Sequence, residues 1–249
     1  MRETLFGRQA VRESLVAGRR TPFRLLLAQG ITNILIIDEI TAAARRYHIP
    51  TIILPRQELT HAVGNDDHQG VALETSGYPY ATIPEMLHLA RERQEAPLLL
   101  LLDLIQDVHN LGSLIRTAES AGVHGVIIQA RRAAGITPAT VNTSSGAVEH
   151  LLVAQITNLA QEIERLKAAD VWIAGLEDVP GARPYTESDM TMPLAIVVGS
   201  EGEGLRRLVR QRCDWLMSIP MRGNVNSLNA AIAGSVALYE VLRQRTKGS

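Results

Sequence analysis

Short runs of apolar residues alternate with helical patterns through most of the chain. The clearest run is Leu98–Asp103 (LLLLLD), which is typical of a strand buried on both faces. Comparable runs follow at 125–128, 171–174, 194–198 and 215–219, and stretches of helical periodicity separate them. Strands that alternate with helices predict a mostly parallel sheet with helices on both faces. Ligands of such α/β folds bind beyond the carboxyl ends of the strands, so the residues after each run are the candidates for function.

The first 75 residues show a finer alternation of helix and strand patterns. Val11, Leu15 and Val16 have helical spacing, residues 42–47 also have a helical pattern, and short apolar runs occur at 24–28 and 51–54. We therefore predict a small α/β domain over residues 1–75. Residues 76–96 contain two prolines and then a polar, helix-like segment, and we expect a linker there. The main domain is expected over residues 97–249.

Composition narrows the class of protein. The chain has 249 residues, of which 46% are hydrophobic, and a single cysteine, Cys213. One cysteine allows no internal disulfide, and the seven histidines show no metal-ligand spacing, so we expect no metal. The longest apolar runs are far shorter than the roughly 20 residues of a membrane span. The first residues lack the apolar segment of a signal peptide, and we expect a cytoplasmic protein without membrane contact.

Charge gives two opposing indications about a nucleic-acid partner. The formal net charge is −1, which on average does not favour binding to phosphates. All but two of the 25 basic residues are arginine, however, and the guanidinium group suits bidentate contact with phosphate. These arginines gather in the first 24 residues and between 206 and 222. Arginine-rich codon usage explains the same ratio, so composition leaves the partner open.

The first candidate site follows the run at 98–103. Residues 106–119 (QDVHNLGSLIRTAE) carry the apolar stripe of a helix, with Asn110 at the expected N-cap and Arg116 in about the second turn. That arginine would lie near the carboxyl edge of the sheet, where a ligand is expected. The alternative is structural, an Arg116–Glu119 ion pair on a solvated helix face.

A glycine-rich turn follows the run at 194–198. Turns of this kind, 199–204 (GSEGEG), often bind phosphate, but Glu201 and Glu203 stand where a phosphate would bring negative charge. Neither the GxGxxG spacing nor a P-loop lysine is present. A ligand without phosphate, such as an adenosine moiety with a cationic group, fits this chemistry better. The alternative is a tight turn whose carboxylates favour a helix N-terminus.

A third cluster follows the run at 215–219. Residues 219–229 (IPMRGNVNSLN) hold three asparagines and a serine before an alanine-rich helix. Helix capping explains one or two of these polar residues but not all four. The small residues of the helix suit close packing, either within the chain or against a second subunit.

Together the three clusters resemble the motifs of the SpoU (TrmH-like) family of RNA ribose 2′-O-methyltransferases. The segments are, in order, QDVHNLGSLIRTAESAG, IVVGSEGEGLRRLVRQRCD and IPMRGNVNSLNAAIAGSVALYE. Residues 1–75, with FGRQAVRESLVAG and HQGVALE, further resemble the ribosomal-protein-like RNA substrate-binding domain of the RlmB-type branch, which methylates guanosine in 23S rRNA. One departure is Val108 before His109, where many relatives have proline, and we expect no effect on activity.

The resemblance implies a fold, a cofactor and a set of site residues. It implies a deep trefoil knot at the C-terminal end of the main domain, a homodimer, and S-adenosylmethionine (AdoMet) bound in the knot as methyl donor. The donor would be held by the backbone around Gly199, Ile219 and Leu228. The reaction site would be lined by Asn110, Arg116, Glu201, Ser227 and Asn229. The expected reaction is methylation of a ribose 2′-hydroxyl in RNA, with a guanosine of 23S rRNA as the favoured target.

Three alternatives remain open from the sequence. The same reaction on tRNA or on an rRNA adenosine fits the motifs equally well, and only residues 1–75 favour rRNA. A non-catalytic RNA-binding assembly factor would have no need of Asn110, Arg116, Glu201 and Asn229 together. A dinucleotide-dependent enzyme is disfavoured by the acidic turn and the missing glycine fingerprint.

Overall fold

The structure, a computed structural model, describes residues 2–31, 35–224 and 227–247. The chain forms two compact units. The first contains the residues up to Pro79 together with Ile136–His150, and the second contains Tyr80–Gly135 and Leu151–Ser249. These units differ from the expected division into 1–75, 76–96 and 97–249 in the placement of the linker and of residues 136–150.

The described elements alternate between strands and helices along the chain. In order they are β1 (Arg2–Phe6), α1 (Arg8–Ala17), β2 (Pro22–Ala28), α2 (Leu35–Arg46), β3 (Thr51–Leu54), α3 (Arg56–Val63), β4 (Val71–Ser76), α4 (Ile83–Glu92), β5 (Leu98–Asp103), α5 (Val108–Ser120), β6 (Gly125–Gln129), α6 (Pro138–Thr143), β7 (Val153–Ile156), α7 (Leu159–Lys167), β8 (Trp172–Leu176), β9 (Arg183–Pro184), β10 (Leu194–Gly199), α8 (Arg207–Arg212), β11 (Trp215–Ser218) and α9 (Ala230–Lys247).

The first unit is built on a four-stranded sheet of order β1-β4-β2-β3. Strand β4 runs antiparallel to both of its neighbours, and β3 pairs in parallel with β2 at the edge. Its core includes Phe6, Leu26, Leu59 and Ala72, which come from three strands and α3. The sequence pattern predicted β2, β3 and part of α1 and α2, and it missed β1 and β4.

Residues 136–150 leave the second unit between β6 and β7 and pack in the first. The fully buried Glu149 carboxylate accepts two hydrogen bonds from Nε of Arg20, at 2.9 and 3.0 Å. The Arg20 guanidinium also donates to Glu3 at 2.7 Å and to the carbonyl of Ser76 at 3.1 Å. A buried carboxylate needs such partners because desolvation penalises its charge. This ion cluster therefore fastens the inserted segment to the first unit.

The expected linker contains a helix of the second unit. Helix α4 begins after Thr82, whose backbone N–H donates to the Glu85 carboxylate at 2.6 Å as in a capping box. Met86 and Ala90, four residues apart on α4, are fully buried. A Cβ at Gly125 would lie 2.2 Å from the Met86 sulfur, so α4 packs directly on the start of β6. Because of these contacts, α4 is part of the core of the second unit and not a linker.

The second unit is a seven-stranded parallel sheet of order β7-β6-β5-β10-β8-β11-β9. The prediction of an α/β fold with a mostly parallel sheet is confirmed. Strand side chains alternate between two faces. Leu99 and Leu101 of β5 belong to a core cluster with residues of α4, α7 and α8. Val198 of β10 faces the opposite layer, formed by α5 and α9.

The alanine-rich helix α9 lies against α5 and β10. A Cβ at Gly234 would come within 2.6 Å of the Leu114 side chain and 3.1 Å of Val198, so only glycine allows this approach without a shift. Close packing within the chain thus accounts for the small residues on this side of α9. Near its end, the Arg245 guanidinium donates to the backbone carbonyls of Ala96, Pro97, Met190 and Met192. In the described ranges, no helix combines the length and apolar character needed to cross a membrane.

Replacement of Arg20 by Met should destabilise the first unit by about 3–5 kcal/mol, because it leaves the buried Glu149 carboxylate without its partner. Arg24→Met is the matched control, since the Arg24 side chain is 44% exposed beside Glu74 and its loss should cost less than about 1 kcal/mol. Urea denaturation and amide hydrogen exchange in β1 and β4 measure both effects. Equal losses for the two variants would contradict this account of the ion cluster.

Candidate active site

Four neighbouring strands of the second unit end at the same edge of the parallel sheet. They are β5, β10, β8 and β11, in that order across the sheet. The segments that follow them are 104–107, 200–206, 177–182 and 219–229. All eight site residues predicted from the sequence lie in these segments, at the end of β10, or on the helix that comes next. Asn226, one of the polar cluster before α9, lies outside the described residues together with Val225.

The start of α5 differs from the prediction in a way that frees Asn110. The N-cap is Asp107, whose carboxylate accepts the Asn110 backbone N–H at 2.8 Å, and the helix begins at Val108. Asn110, expected at the N-cap, is instead the third helical residue. Its side chain is therefore not used for capping and extends toward the neighbouring segments.

Three segments meet at the Glu201 carboxylate. Oε1 of Glu201 accepts a hydrogen bond from Nδ2 of Asn110 at 2.9 Å and a second from Nδ2 of Asn229. Asn229 Nδ2 also donates to Oδ1 of Asn110 at 2.8 Å. The three side chains are separated by up to 119 residues along the chain. We call this set, Asn110, Glu201 and Asn229, the site triad.

Asn229 joins the site triad to α9. Its Oδ1 accepts the backbone N–H groups of Ala231 at 2.9 Å and Ile232 at 3.2 Å, which is a helix N-cap. Because the amide oxygen is used by these donors, the amide nitrogen must face Glu201 and Asn110. The Asn229 side chain therefore both caps α9 and belongs to the site triad.

A cavity of about 530 Å³ opens beside the site triad. The residues expected to hold the donor, Gly199, Ile219 and Leu228, all line it. Glu201, Ser227 and Asn229 line it as well. Residues 176–179, which follow β8, form a further wall that the sequence patterns did not indicate. The rule that ligands lie beyond strand ends applies to this segment too, but it contains no glycine or asparagine that would have marked it.

The glycine turn at 199–204 forms the back of the cavity. A Cβ at Gly199 would lie 2.3 Å from the carbonyl carbon of Gly204, so the backbone of the turn rests on the end of β10. The Gly204 N–H closes the turn on the Ser200 carbonyl at 3.0 Å. Gly202 and Gly204 have φ values of +90° and +66°, a conformation that favours glycine. Three glycines are therefore required by the shape of the turn itself.

Arg116 lies at a distance from the cavity. It is on α5, six residues beyond Asn110, which corresponds to about 9 Å along the helix axis. Its side chain is exposed and is not among the residues that line the cavity. Ser227 is exposed at the cavity mouth. The structure therefore brings Glu201, Ser227 and Asn229 to the cavity, joins Asn110 to them by hydrogen bonds, and leaves Arg116 on the neighbouring surface.

The charged side chains that line the cavity are all acidic. Its carboxylates are Glu177, Asp178, Glu201 and Glu203, and none of its described lining residues is lysine or arginine. Such a surface disfavours phosphate and favours a cationic ligand. Within the described ranges, no group of three or more His, Cys, Asp or Glu side chains is arranged to hold a metal ion.

Comparison with known proteins shows that the chain is an RNA methyltransferase. The profile of the SpoU rRNA Methylase family matches residues 97–239, and the profile described as RNA 2′-O ribose methyltransferase substrate binding matches residues 4–81. The chain therefore belongs to the SpoU family of RNA methyltransferases.

Similar proteins cover nearly the whole chain. A Bacillus subtilis (strain 168) protein assigned to the TrmH family of tRNA/rRNA methyltransferases, YacO, is 39% identical over 97% of this chain and 95% of its own length. A Staphylococcus aureus (strain MSSA476) protein assigned to the same family is 42% identical over 97% of this chain and 96% of its own. The crystal structure of the SpoU methyltransferase AviRb from Streptomyces viridochromogenes with AdoMet has the same fold, with a TM-score of 0.82, 24% identity and coverage of 99% and 92%.

AdoMet is the methyl donor of this family, and the cavity fits it. Glycine backbone and the apolar side chains of Leu176, Val198 and Ile219 suit an uncharged adenosine moiety. The carboxylates suit the positive charges of the sulfonium and the ammonium group. A volume of about 530 Å³ lies within the range of small-molecule sites.

Proposed function

We propose that this protein methylates a ribose 2′-hydroxyl of RNA, with a guanosine of 23S rRNA as substrate. The observation that carries the proposal is the site triad beside an acidic cavity whose described lining contains no lysine or arginine. The cavity suits the donor, and the polar side chains at its mouth suit a hydroxyl that must be aligned with the donor. The match of residues 4–81 to a 2′-O ribose methyltransferase substrate-binding profile supports the ribose as acceptor.

The chain's own residues would bind and orient both reactants. The backbone around Gly199, Ile219 and Leu228 holds the donor in the cavity. AdoMet would supply a methyl group from its sulfonium centre, S-adenosylhomocysteine would leave as a neutral thioether, and the proton of the 2′-hydroxyl would pass to solvent. A ribose hydroxyl is a weak nucleophile, so alignment provides much of the acceleration.

The reaction-site residues have separate roles in this proposal. Asn110 orients the 2′-hydroxyl, while Glu201 and Asn229 hold Asn110 in place through their shared hydrogen bonds. Ser227 adds a hydroxyl at the cavity mouth. Arg116 contacts the adjacent phosphate and stabilises the negative charge that develops on the hydroxyl oxygen. A guanidinium stays protonated at neutral pH, so its contribution is electrostatic rather than that of a base.

The first unit is proposed to bind the RNA. Several arginines counted toward RNA binding form ion pairs with carboxylates of this chain, namely Arg12, Arg20, Arg24, Arg206, Arg210 and Arg212. Arg45, Arg46 and Arg56 of the first unit are exposed, and Arg46 lies over the ring of the exposed Tyr47. Exposed guanidinium and aromatic groups together suit phosphates and unpaired bases.

A knot and a homodimer complete the proposal. We propose a trefoil knot at the C-terminal end of the second unit, where α9 follows β11 in the chain but packs on α5 and β10. Ile232 and Tyr239 of α9 are seven residues apart and 54% and 52% exposed. Two large apolar side chains on one exposed helix face suit burial against a second copy. A ribosomal RNA substrate would place the enzyme in the cytoplasm.

Deletion of the gene should remove one 2′-O-methylguanosine from 23S rRNA. The measurement is a map of 2′-O-methyl sites in rRNA and tRNA from the deletion strain and its parent. Restoration of the site by the wild-type gene, but not by a Glu201→Ala gene, would tie the loss to this active site. Loss of a tRNA site instead would transfer the proposal to tRNA, and loss of no site would contradict it.

Arg116→Ala should reduce methyl transfer to RNA by at least about 100-fold, the usual effect of removing one group that stabilises developing charge. Because Arg116 does not line the cavity, the affinity for S-adenosylhomocysteine should stay unchanged in calorimetry. Arg165→Ala, on the exposed face of α7, is the control and should keep full activity. Full methyl transfer by Arg116→Ala with intact donor binding would refute the assigned role.

A further inference from the structure

Strand β10 lies between β5 and β8, and a carboxylate stands at the end of each neighbour. Asp103 is the last residue of β5, and its side chain is fully buried. Glu177 directly follows β8, and its side chain is 11% exposed. The two acids therefore flank the point where β10 ends and the glycine turn begins.

Both carboxylates accept hydrogen bonds from the backbone of the two residues that follow the glycine turn. The N–H of Leu205 donates to Glu177 at 3.2 Å, and the next N–H, of Arg206, donates to Asp103 at 2.9 Å. Two guanidinium groups complete the contacts. Arg206 Nε donates to Asp103 at 2.7 Å, and Arg210 Nη2 donates to Glu177 at 2.6 Å. We call Asp103 and Glu177 the carboxylate bracket.

The bracket also restricts which residue can stand at the last position of the turn. A Cβ at Gly204 would lie 2.5 Å from Oε1 of Glu177, so the glycine there is required by the bracket. Asp103 accepts a further hydrogen bond from Gln129 of β6 at 3.0 Å, which fixes its carboxylate between three donors. Only three residues separate Glu201 from Leu205, so a shift of the turn's end moves Glu201 as well.

We propose that Asp103 and Glu177 are positioning residues of the methyl-transfer reaction, which hold the glycine turn in the conformation that binds the donor. The inference rests on the assignment of the cavity as the AdoMet site. Asp103 does not line the cavity and acts through the backbone of Arg206 alone, whereas Glu177 lines the cavity and also acts through the backbone of Leu205. Asp103→Asn is therefore the variant that separates positioning of the turn from direct contact with the donor. Without the bracket the turn samples other conformations. The apparent affinity for the donor then falls in proportion to the fraction of molecules that keep the correct conformation.

The test uses Glu177→Gln and Asp103→Asn, which keep side-chain size and remove the charge. Calorimetry with S-adenosylhomocysteine should show a Kd at least about tenfold higher than wild type, which corresponds to a correct turn populated about one tenth of the time. The KM for AdoMet should rise in parallel, while kcat at saturating AdoMet stays within about threefold, because donor binding restores the turn. Unchanged Kd and KM would overturn the proposal.

Asp214→Asn is the matched control for a purely structural effect. Asp214 accepts the Ile173 N–H at 2.8 Å and pairs with Lys167 at 2.7 Å. These contacts lie near the starts of β8 and β11, at the edge of the sheet opposite the cavity. Its replacement should lower the melting temperature by an amount similar to the bracket variants and leave the Kd for S-adenosylhomocysteine unchanged. An equal rise in Kd for Asp214→Asn would overturn the positioning role.

Two more variants keep the result decisive. If a bracket variant fails to fold, Arg210→Gln removes the guanidinium that donates to Glu177 and to the Leu205 carbonyl, and a Kd raised about threefold supports the proposal while an unchanged Kd contradicts it. Gly199→Ala places a Cβ 2.3 Å from the Gly204 carbonyl carbon and should abolish binding. Wild-type affinity in Gly199→Ala would refute the cavity assignment itself. Lost binding there with normal binding in the bracket variants would refute only the bracket.

Discussion

A contact between two stretches of backbone at the end of β10 sets the position of the whole candidate site. Gly199 and Gly204 lie so close that no side chain fits between them. The turn is thereby folded back on the strand, and Glu201 at its tip comes within hydrogen-bonding distance of Asn110 and Asn229. The same contact forms the back wall of the cavity. In the proposed function, donor binding and the arrangement of the site triad both depend on this one local conformation.

The site can form only when distant parts of the chain have packed. The residues of the site triad come from α5, the glycine turn and the residue before α9. Asn229 reaches the triad because α9 lies against α5 and β10, a packing that Gly234 allows and Arg245 fastens at the far end. The N-cap of α9 and the triad share the Asn229 amide, so the helix cannot shift without disturbing the site. Folding of the second unit and assembly of the site are one event.

Continuous hydrophobicity and motif spacing predicted the parallel sheet and the segments of the site. Five strands of the second unit were visible as apolar runs, and three of them, β5, β6 and β10, are buried along their whole length. The insertion at 136–150 and the packing of α4 in the core were not predicted, because their anchors are single buried residues such as Glu149 and Met86. Such contacts leave no local period: Arg20 and Glu149 are 129 positions apart.

The sequence also predicted most of the candidate site, but not the two acids that hold the glycine turn. Glycines, asparagines and acids after the strands marked the turn and the polar cluster, and the structure brings most of them to one cavity. Asp103 and Glu177 carried no signal, since one ends an apolar run and the other follows a strand without a recognisable motif. Asn110 was placed at the wrong helical position because both Asp107 and Asn110 are good N-caps. Local propensity alone does not choose between them.

Transfer of radioactive methyl groups from AdoMet to 23S rRNA, followed by alkaline hydrolysis, tests the central claim most directly. A 2′-O-methyl group blocks alkaline cleavage of the adjacent phosphodiester. The account predicts that the label is recovered in alkali-stable dinucleotides with guanosine at the 5′ position, and that Glu201→Ala gives none. Label recovered in mononucleotides, which indicates a methylated base, would contradict the account, as would transfer that persists in Glu201→Ala.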